Sequence, residues 1–402
     1  MAPSSPPEPL TPNTTQVPNT TQVPNTTQVI GAEREANPLF PIADQFAHSG
    51  QAIEIRPFGN GNINDTFLVT VDFPIDHRFI LQRINTQVFR QPELVMQNMR
   101  VVTDHIHDRL QQESLDRRWE TPRVLQTRNN HDHWEDGDGS FWRAISFIDQ
   151  SQALDSIQSV EHAKEVGYAL GNFHRLISNL NPDQLADTLE GFHITPRYLQ
   201  HYYHVLNSIP TADALLVSDD TQYCINWIAD HIEFISVLED AKKQGKLPLR
   251  LMHGDPKVNN VMIDIATQKS ISLVDLDTVK PGLIHYDIGD CLRSGCNPLG
   301  EETQDWQGVR FDLDLCRGIL QGYLSAARSF LTEQDYDYLF DAIRLIPLEL
   351  GLRFFTDHLE GNVYFKTKYP GHNLMRALVQ FQLMNSIEQQ EFAIRQMIGE
   401  MR

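Results

Sequence analysis

His253, Asp255 and Asn260 stand in the polar stretch MHGDPKVNN, and the apolar run Val261-Met262-Ile263 that follows has strand character. A second apolar run, Ile271 to Val274, ends on Asp275, with a Thr-Gln-Lys-Ser turn between the two. Paired as a hairpin, the runs bring Asp255, Asn260 and Asp275 to one end of a small sheet. An acid, an amide and a second acid in one place suit phosphoryl transfer from a nucleotide. One carboxylate orients and deprotonates the attacking hydroxyl, while the amide and the other carboxylate hold magnesium on the phosphates. Magnesium binds through few protein oxygens and leaves room for phosphate and water. Each residue alone is ordinary turn chemistry; the combination is what points to catalysis.

Elements able to position this set lie on both sides. Upstream, Gly59-Asn60-Gly61-Asn62 is a turn feeding the alternating strand around Phe67, Val69 and Val71, and its glycines let backbone amides approach a triphosphate closely. A strand over 78–84 follows, then an amphipathic helix over 92–110 with proline where it starts. Further strands are expected near 123–126 and over 141–148. The intervening HDHWEDGDGS reads as a solvated turn rather than a metal site. After Ile148 the pattern becomes helical, with a core helix over 160–177 and helix-rich sequence from Phe311 to the end.

At 402 residues the chain can hold two lobes with separate cores. Its formal charge of −20 argues against a nucleic-acid or anionic-membrane partner. Mean hydropathy is −0.37, and no apolar run approaches a bilayer span. Four cysteines without a CxxC pair and a start unlike a secretory signal fit a reducing cytoplasm. Residues 1–37 carry PNTTQV three times after a Pro- and Ser-rich leader, and are expected to be a disordered tail.

The spacing H-G-D-x-x-x-x-N, followed by a strand ending V-D-L-D, resembles the aminoglycoside phosphotransferase and choline kinase-like superfamily. FGNGNINDTFLV, FILQRINTQVF, MHGDPKVNNVMID, VDLDTVKPGLIHYDIGD and GLRFFTDHLEGNVYFKTKYPGHN narrow the resemblance to an N-acetylhexosamine 1-kinase-like branch, over roughly residues 38–390. It implies an α+β, bilobal protein-kinase-like fold: a small antiparallel-sheet N-lobe over 38–148 that binds nucleotide, and a larger, mainly helical C-lobe over 149–402 for catalysis and the acceptor. It also implies transfer of the ATP γ-phosphate to a sugar, at an anomeric hydroxyl. Asp255 would be the base, and Asn260 and Asp275 would bind Mg2+. Asp277, two residues beyond Asp275 on strand geometry, would face the same side as a further ligand. Arg83 would serve the phosphates, as an arginine does in choline kinase-like proteins, with Glu93 as its partner. In YDIGD, Asp287 would brace the catalytic loop. For the sugar, His193, Arg293, Tyr364 and Arg376 have suitable chemistry. Alternatives are a kinase for an aminoglycoside- or choline-like cation, or a nucleotide-binding pseudokinase. Oligomeric state is open.

Overall fold

The computed structural model describes residues 34, 36–47, 50–59, 61, 63–72, 77–113, 115–210 and 214–402. The repeat-bearing tail, apart from Arg34, Ala36 and Asn37, lies outside the described residues, as do Asn60 and Asn62 of the glycine-bearing turn.

Helix α1 (Leu39–Phe46) buries Phe40, Ala43 and Phe46, a three-residue rhythm that gives it one apolar face. Strands β1 (Ala52–Pro57), β2 (Asp65–Val71) and β3 (His77–Arg83) form an antiparallel meander. Helix α2 (Pro92–Gln112) follows, with proline in its first turn and Val95, Met96, Met99, Val102 and Ile106 buried. Strands β4 (Val124–Leu125), β5 (Trp134–Glu135) and β6 (Phe141–Ser146) complete a sheet of order β1-β2-β3-β6-β4, with β5 on β6.

Alternation divides this sheet sharply. Phe79, Leu81, Trp142 and Ala144 pack with α1, whereas Leu68, Ile80 and Ile145 join Met99, Val102 and Ile106 of α2. The second cluster continues without a break into the helical region, so the lobes share a core at their junction.

Beyond β6 comes a short strand, β7 (Ser151–Gln152), where sequence periodicity suggests only helix; it pairs with the strand Val261–Asp264. Helix α3 (Val160–Ile177) starts at Ser159, whose side chain accepts from the His162 N–H. Helices α4 (Thr195–Ser208), α5 (Asp219–Asp230) and α6 (Val237–Lys243) lead to β8 (Arg250–Met252). The expected hairpin is present as β9 (Val261–Asp264) and β10 (Ser270–Leu273). Strand β11 (Lys280–Gly282) pairs back onto β8. Helices α7 (Ile284–Gly295), α8 (Leu313–Ala327), α9 (Glu333–Asp337), α10 (Leu339–Leu359), α11 (His372–Gln389) and α12 (Glu391–Met401) finish the chain.

The floor of the helical lobe is the α3–α8 pair. A Cβ at Gly167 would lie 1.9 Å from the Ile319 carbonyl oxygen, one at Gly171 2.4 Å from that of Tyr323, and one at Gly322 1.9 Å from that of Lys164. Glycine therefore lets the two backbones touch. Among the described residues no helix is long and apolar enough to cross a membrane.

Candidate active site

The catalytic loop leaves β8 through Gly254, which has φ +89° and whose Cβ would fall 2.8 Å from the Thr278 carbonyl oxygen. Its shape is imposed from below. The N–H groups of His253 and Gly254 donate to the Asp287 carboxylate at 2.6 and 2.8 Å, and His174 Nε2 lies 2.7 Å from the same group. His174 Nδ1 in turn meets the Tyr323 hydroxyl at 3.0 Å. Burial would raise the Asp287 pKa, but His174 and these donors hold it below the usual carboxylate range. Buried His253 donates from Nε2 to the Val274 carbonyl at 3.0 Å, so its Nδ1 is free to accept the Asp255 N–H at 3.3 Å.

Asp255 is partly exposed, and Lys257 Nζ lies 2.9 Å from its Oδ2. Asp255, followed by Asp275 and Asp290, raises Lys257 and keeps it cationic. Asn260 Nδ2 donates to the Asp255 carbonyl at 2.7 Å, which leaves Oδ1 without a hydrogen bond among the described residues. Asp275 has left-handed backbone, φ 66° and ψ 61°, a conformation Asp tolerates better than most residues. Though part of it reaches solvent, it is closely surrounded by protein. Loss of water, followed by the charges of Asp277 and Asp255, pushes its carboxyl up to about 7 against the pull of Lys257 and Arg143. Two hard oxygen donors in a patch rich in negative charge fit a magnesium ion whose remaining shell comes from phosphate and water. Asp255, Asn260 and Asp275 are thus brought together.

Asp277 departs from the expected strand geometry. The left-handed Asp275 starts a 3-10 turn over Leu276–Thr278, and Asp277 is buried facing the N-lobe sheet. There it forms an ion pair with Arg143 of β6 at 2.5 Å and accepts from Asn64 Nδ2 at 2.7 Å.

The expected Arg83–Glu93 pair is not made. Arg83 pairs with Asp65, its cross-strand neighbour, with Nε donating at 2.9 Å, and its guanidinium lies 5.7 Å from the Trp142 ring centre on the α1 side. Glu93 lies on a separate groove with Arg100 and His133. Alternation is the cause: on β3 it is Gln82, not Arg83, that shares the α2 face. The cation on that face is Arg143, directly across from Gln82 and donating to its Oε1 from Nε and Nη2 at 2.9 and 2.7 Å. An arginine inside the apolar run FWRAIS was the available signal. In the glycine-bearing turn, Gly59 has φ +74°, with open space where a Cβ would be.

Of the four acceptor candidates, only Tyr364 lines the large cleft, a space of about 1060 Å³ between the loop over 187–192 and helix α10. His193 is buried beneath it, holding Glu349 through Nδ1 at 2.7 Å and the Gly254 carbonyl through Nε2 at 2.9 Å. Arg293 is taken up by Asp290 and Glu301, and Arg376 by Glu302. The cleft is also lined by Arg353, which the sequence did not single out and whose guanidinium sits 5.0 Å from the Tyr198 ring centre, 5.4 Å from those of Phe192 and Phe365, and 5.9 Å from that of Tyr364. It makes no hydrogen bond or ion pair among the described residues. Burial would lower its pKa; Tyr198, Tyr364, Glu349 and Asp255 raise it instead, which puts the guanidinium within electrostatic reach of the catalytic loop. Asp357 pins the cleft's outer loop by accepting the N–H groups of Tyr364 and Phe365 at 2.7 and 3.0 Å.

A small antiparallel sheet over a larger helical lobe, with this loop at the junction, is a kinase-like fold of the aminoglycoside phosphotransferase and choline kinase type. The fold is similar to that of an aminoglycoside phosphotransferase from Alicyclobacillus acidocaldarius, at 18% identity and TM-score 0.55, over 90% of this chain and 98% of that one. It is similar also to an ethanolamine kinase from Plasmodium vivax, at 14% identity and TM-score 0.51, over 81% and 82% of the two chains. An amicoumacin kinase in complex with AMP-PNP and Ca2+ matches at 12% identity and TM-score 0.52, over 90% and 96%. Residues 54–326 match the model of the phosphotransferase enzyme family, and the chain belongs to that family.

Proposed function

We propose that the protein transfers the γ-phosphate of ATP to a hydroxyl of a neutral, N-acetylhexosamine-like sugar, at the anomeric position. Asp255 orients that hydroxyl and accepts its proton, while Lys257 offsets the carboxylate's charge. Asn260 and Asp275 hold magnesium, which supplies charge neutralisation on the phosphates when bound. Gly59 and Gly61 let the turn before β2 approach the triphosphate, with Asn60 and Asn62 as further candidates there. Residues 38–148 would carry the nucleotide and 149–402 the acceptor. A reducing cytoplasm suits the four free, buried cysteines.

The observation that carries the acceptor class is Arg353. An aromatic box would suit a quaternary or primary ammonium, but here a guanidinium already occupies the ring faces. Its unused donors face a cleft that also holds the Tyr364 ring, and donors plus an aromatic face suit sugar oxygens and a sugar ring. Two acids on the rim already have cations, Asp187 pairing with Lys280 and Glu190 with Arg197.

The test is the purified protein with ATP and magnesium, offered N-acetylhexosamines, other sugars, aminoglycosides, choline and ethanolamine, with mass detection of product. Turnover of sugars alone supports the reading. Turnover of amines alone refutes the acceptor class, and turnover of nothing favours a nucleotide-binding pseudokinase.

A further inference from the structure

Arg143 is one of the largest fully buried side chains among the described residues, and its partners come from both lobes. Its guanidinium is held on its own sheet by Gln82 Oε1, with Nη1 lying against the Met99 sulfur at 3.6 Å. The charge is met from the other lobe by Asp277, itself 3% exposed. The second oxygen of Asp277 accepts from Asn64, which closes the glycine-bearing turn, and Asn64 Oδ1 accepts the Asn85 N–H at 3.0 Å beyond the end of β3. One carboxylate, two residues past Asp275, thus gathers Asn64 before β2 and Arg143 of β6 onto the end of the hairpin that carries Asp275.

A buried charge is costly unless paired, and a pair of this kind fixes geometry more than it adds stability. We propose that Arg143 is a positioning residue for the nucleotide: it holds Asp277 as an anchor, and through Asp277 it fixes Asn64, just before β2, relative to the hairpin end that carries Asp275. Asp277 is then a tether between lobes rather than a metal ligand. This rests on the kinase reading above and adds to it a specific route by which the N-lobe is registered on the catalytic loop.

The test compares wild type with Asn64→Ala, Arg143→Lys and Arg143→Met, measuring KM for ATP, kcat, acceptor KM, and equilibrium binding of a fluorescent Mg·ATP analogue. Asn64→Ala, which leaves the buried pair in place, raises KM for ATP about tenfold with kcat within about twofold and acceptor KM unchanged. Arg143→Lys keeps more ATP affinity than Arg143→Met, because a cation still faces Asp277. The double variant Asn64→Ala/Arg143→Lys falls short of the product of the single effects, since both act through one carboxylate. Wild-type ATP affinity in both Asn64→Ala and Arg143→Lys, or a loss confined to kcat, overturns the tether even if Arg143→Met fails to fold. If wild type phosphorylates nothing yet binds the analogue, and Asn64→Ala weakens that binding about tenfold, the tether stands and the kinase reading falls.

Discussion

Lys257 Nζ lies 2.9 Å from Asp255 Oδ2, so the proposed base carries its own counter-ion in the folded loop. Replacing the carboxylate by an amide keeps the shape and removes the proton acceptor. Asp255→Asn is expected to lower kcat at least about 100-fold while Mg·ATP binding stays within about threefold of wild type. Product formation by mass spectrometry and nucleotide titration check the two halves; wild-type turnover in the variant would remove Asp255 from the role.

His193 and Glu349 form a buried pair directly under the catalytic loop. Burial alone would lower the His193 pKa, but the Glu349 carboxylate and the Gly254 carbonyl raise it above 6.5. Burial would raise Glu349, and His193 brings it below 4.5. The raised histidine contributes stability that is complete below 6.5 and is lost as pH rises through its folded value. The lowered carboxylate contributes stability that is complete above 4.5 and is lost as pH falls through its folded value. Thermal unfolding across pH should therefore lose stability on the alkaline side above 6.5, and His193→Gln should flatten that limb. An unchanged alkaline limb would mean that the pair is not ionised in the fold.

Gly254→Ala combines a positive φ with a Cβ 2.8 Å from backbone oxygen. The left-handed strain alone is worth about 1–3 kcal/mol, and relief of the clash must displace the loop between His253 and Asp255. Both melting temperature and kcat are expected to fall. A variant as stable and as active as wild type would show that this turn is not the constraint on the base.

Arg353→Met and Tyr364→Ala are expected to raise acceptor KM about tenfold or more and leave KM for ATP unchanged, because both side chains line the cleft proposed for the acceptor. Equal losses for both substrates would point instead to a collapse of the loop that Asp357 pins.

Legibility followed separation along the chain. Asp255, Asn260 and Asp275 could be read together because a single hairpin, β9–β10, joins them within one short stretch. Asn64 and Asp277 are 213 residues apart and His193 and Glu349 156, and no local pattern announces either pair. Arg83 illustrates a different limit. Its chemistry suited phosphate, but a one-residue difference in strand parity sends it to the α1 side and gives the α2 face to Gln82 and Arg143. For the acceptor candidates, residue type could not show which groups the fold already pairs. Arg293 and Arg376 have the right groups but spend them on Asp290, Glu301 and Glu302, while Arg353, lacking such partners, keeps its donors.

The glycine contacts between α3 and α8 give the molecule a fixed datum. Gly171 rests on the backbone of Tyr323, the Tyr323 hydroxyl meets His174, and His174 meets the carboxylate of Asp287 that holds the catalytic loop. The height of Asp255 is therefore referred to the floor of the helical lobe and not to the sheet above it. A small molecule that wedges the lobes apart would lift the Asn64 side and leave Asp255 where it stands, so under the proposed roles such a compound should compete with nucleotide while the cleft beside Arg353 keeps its shape.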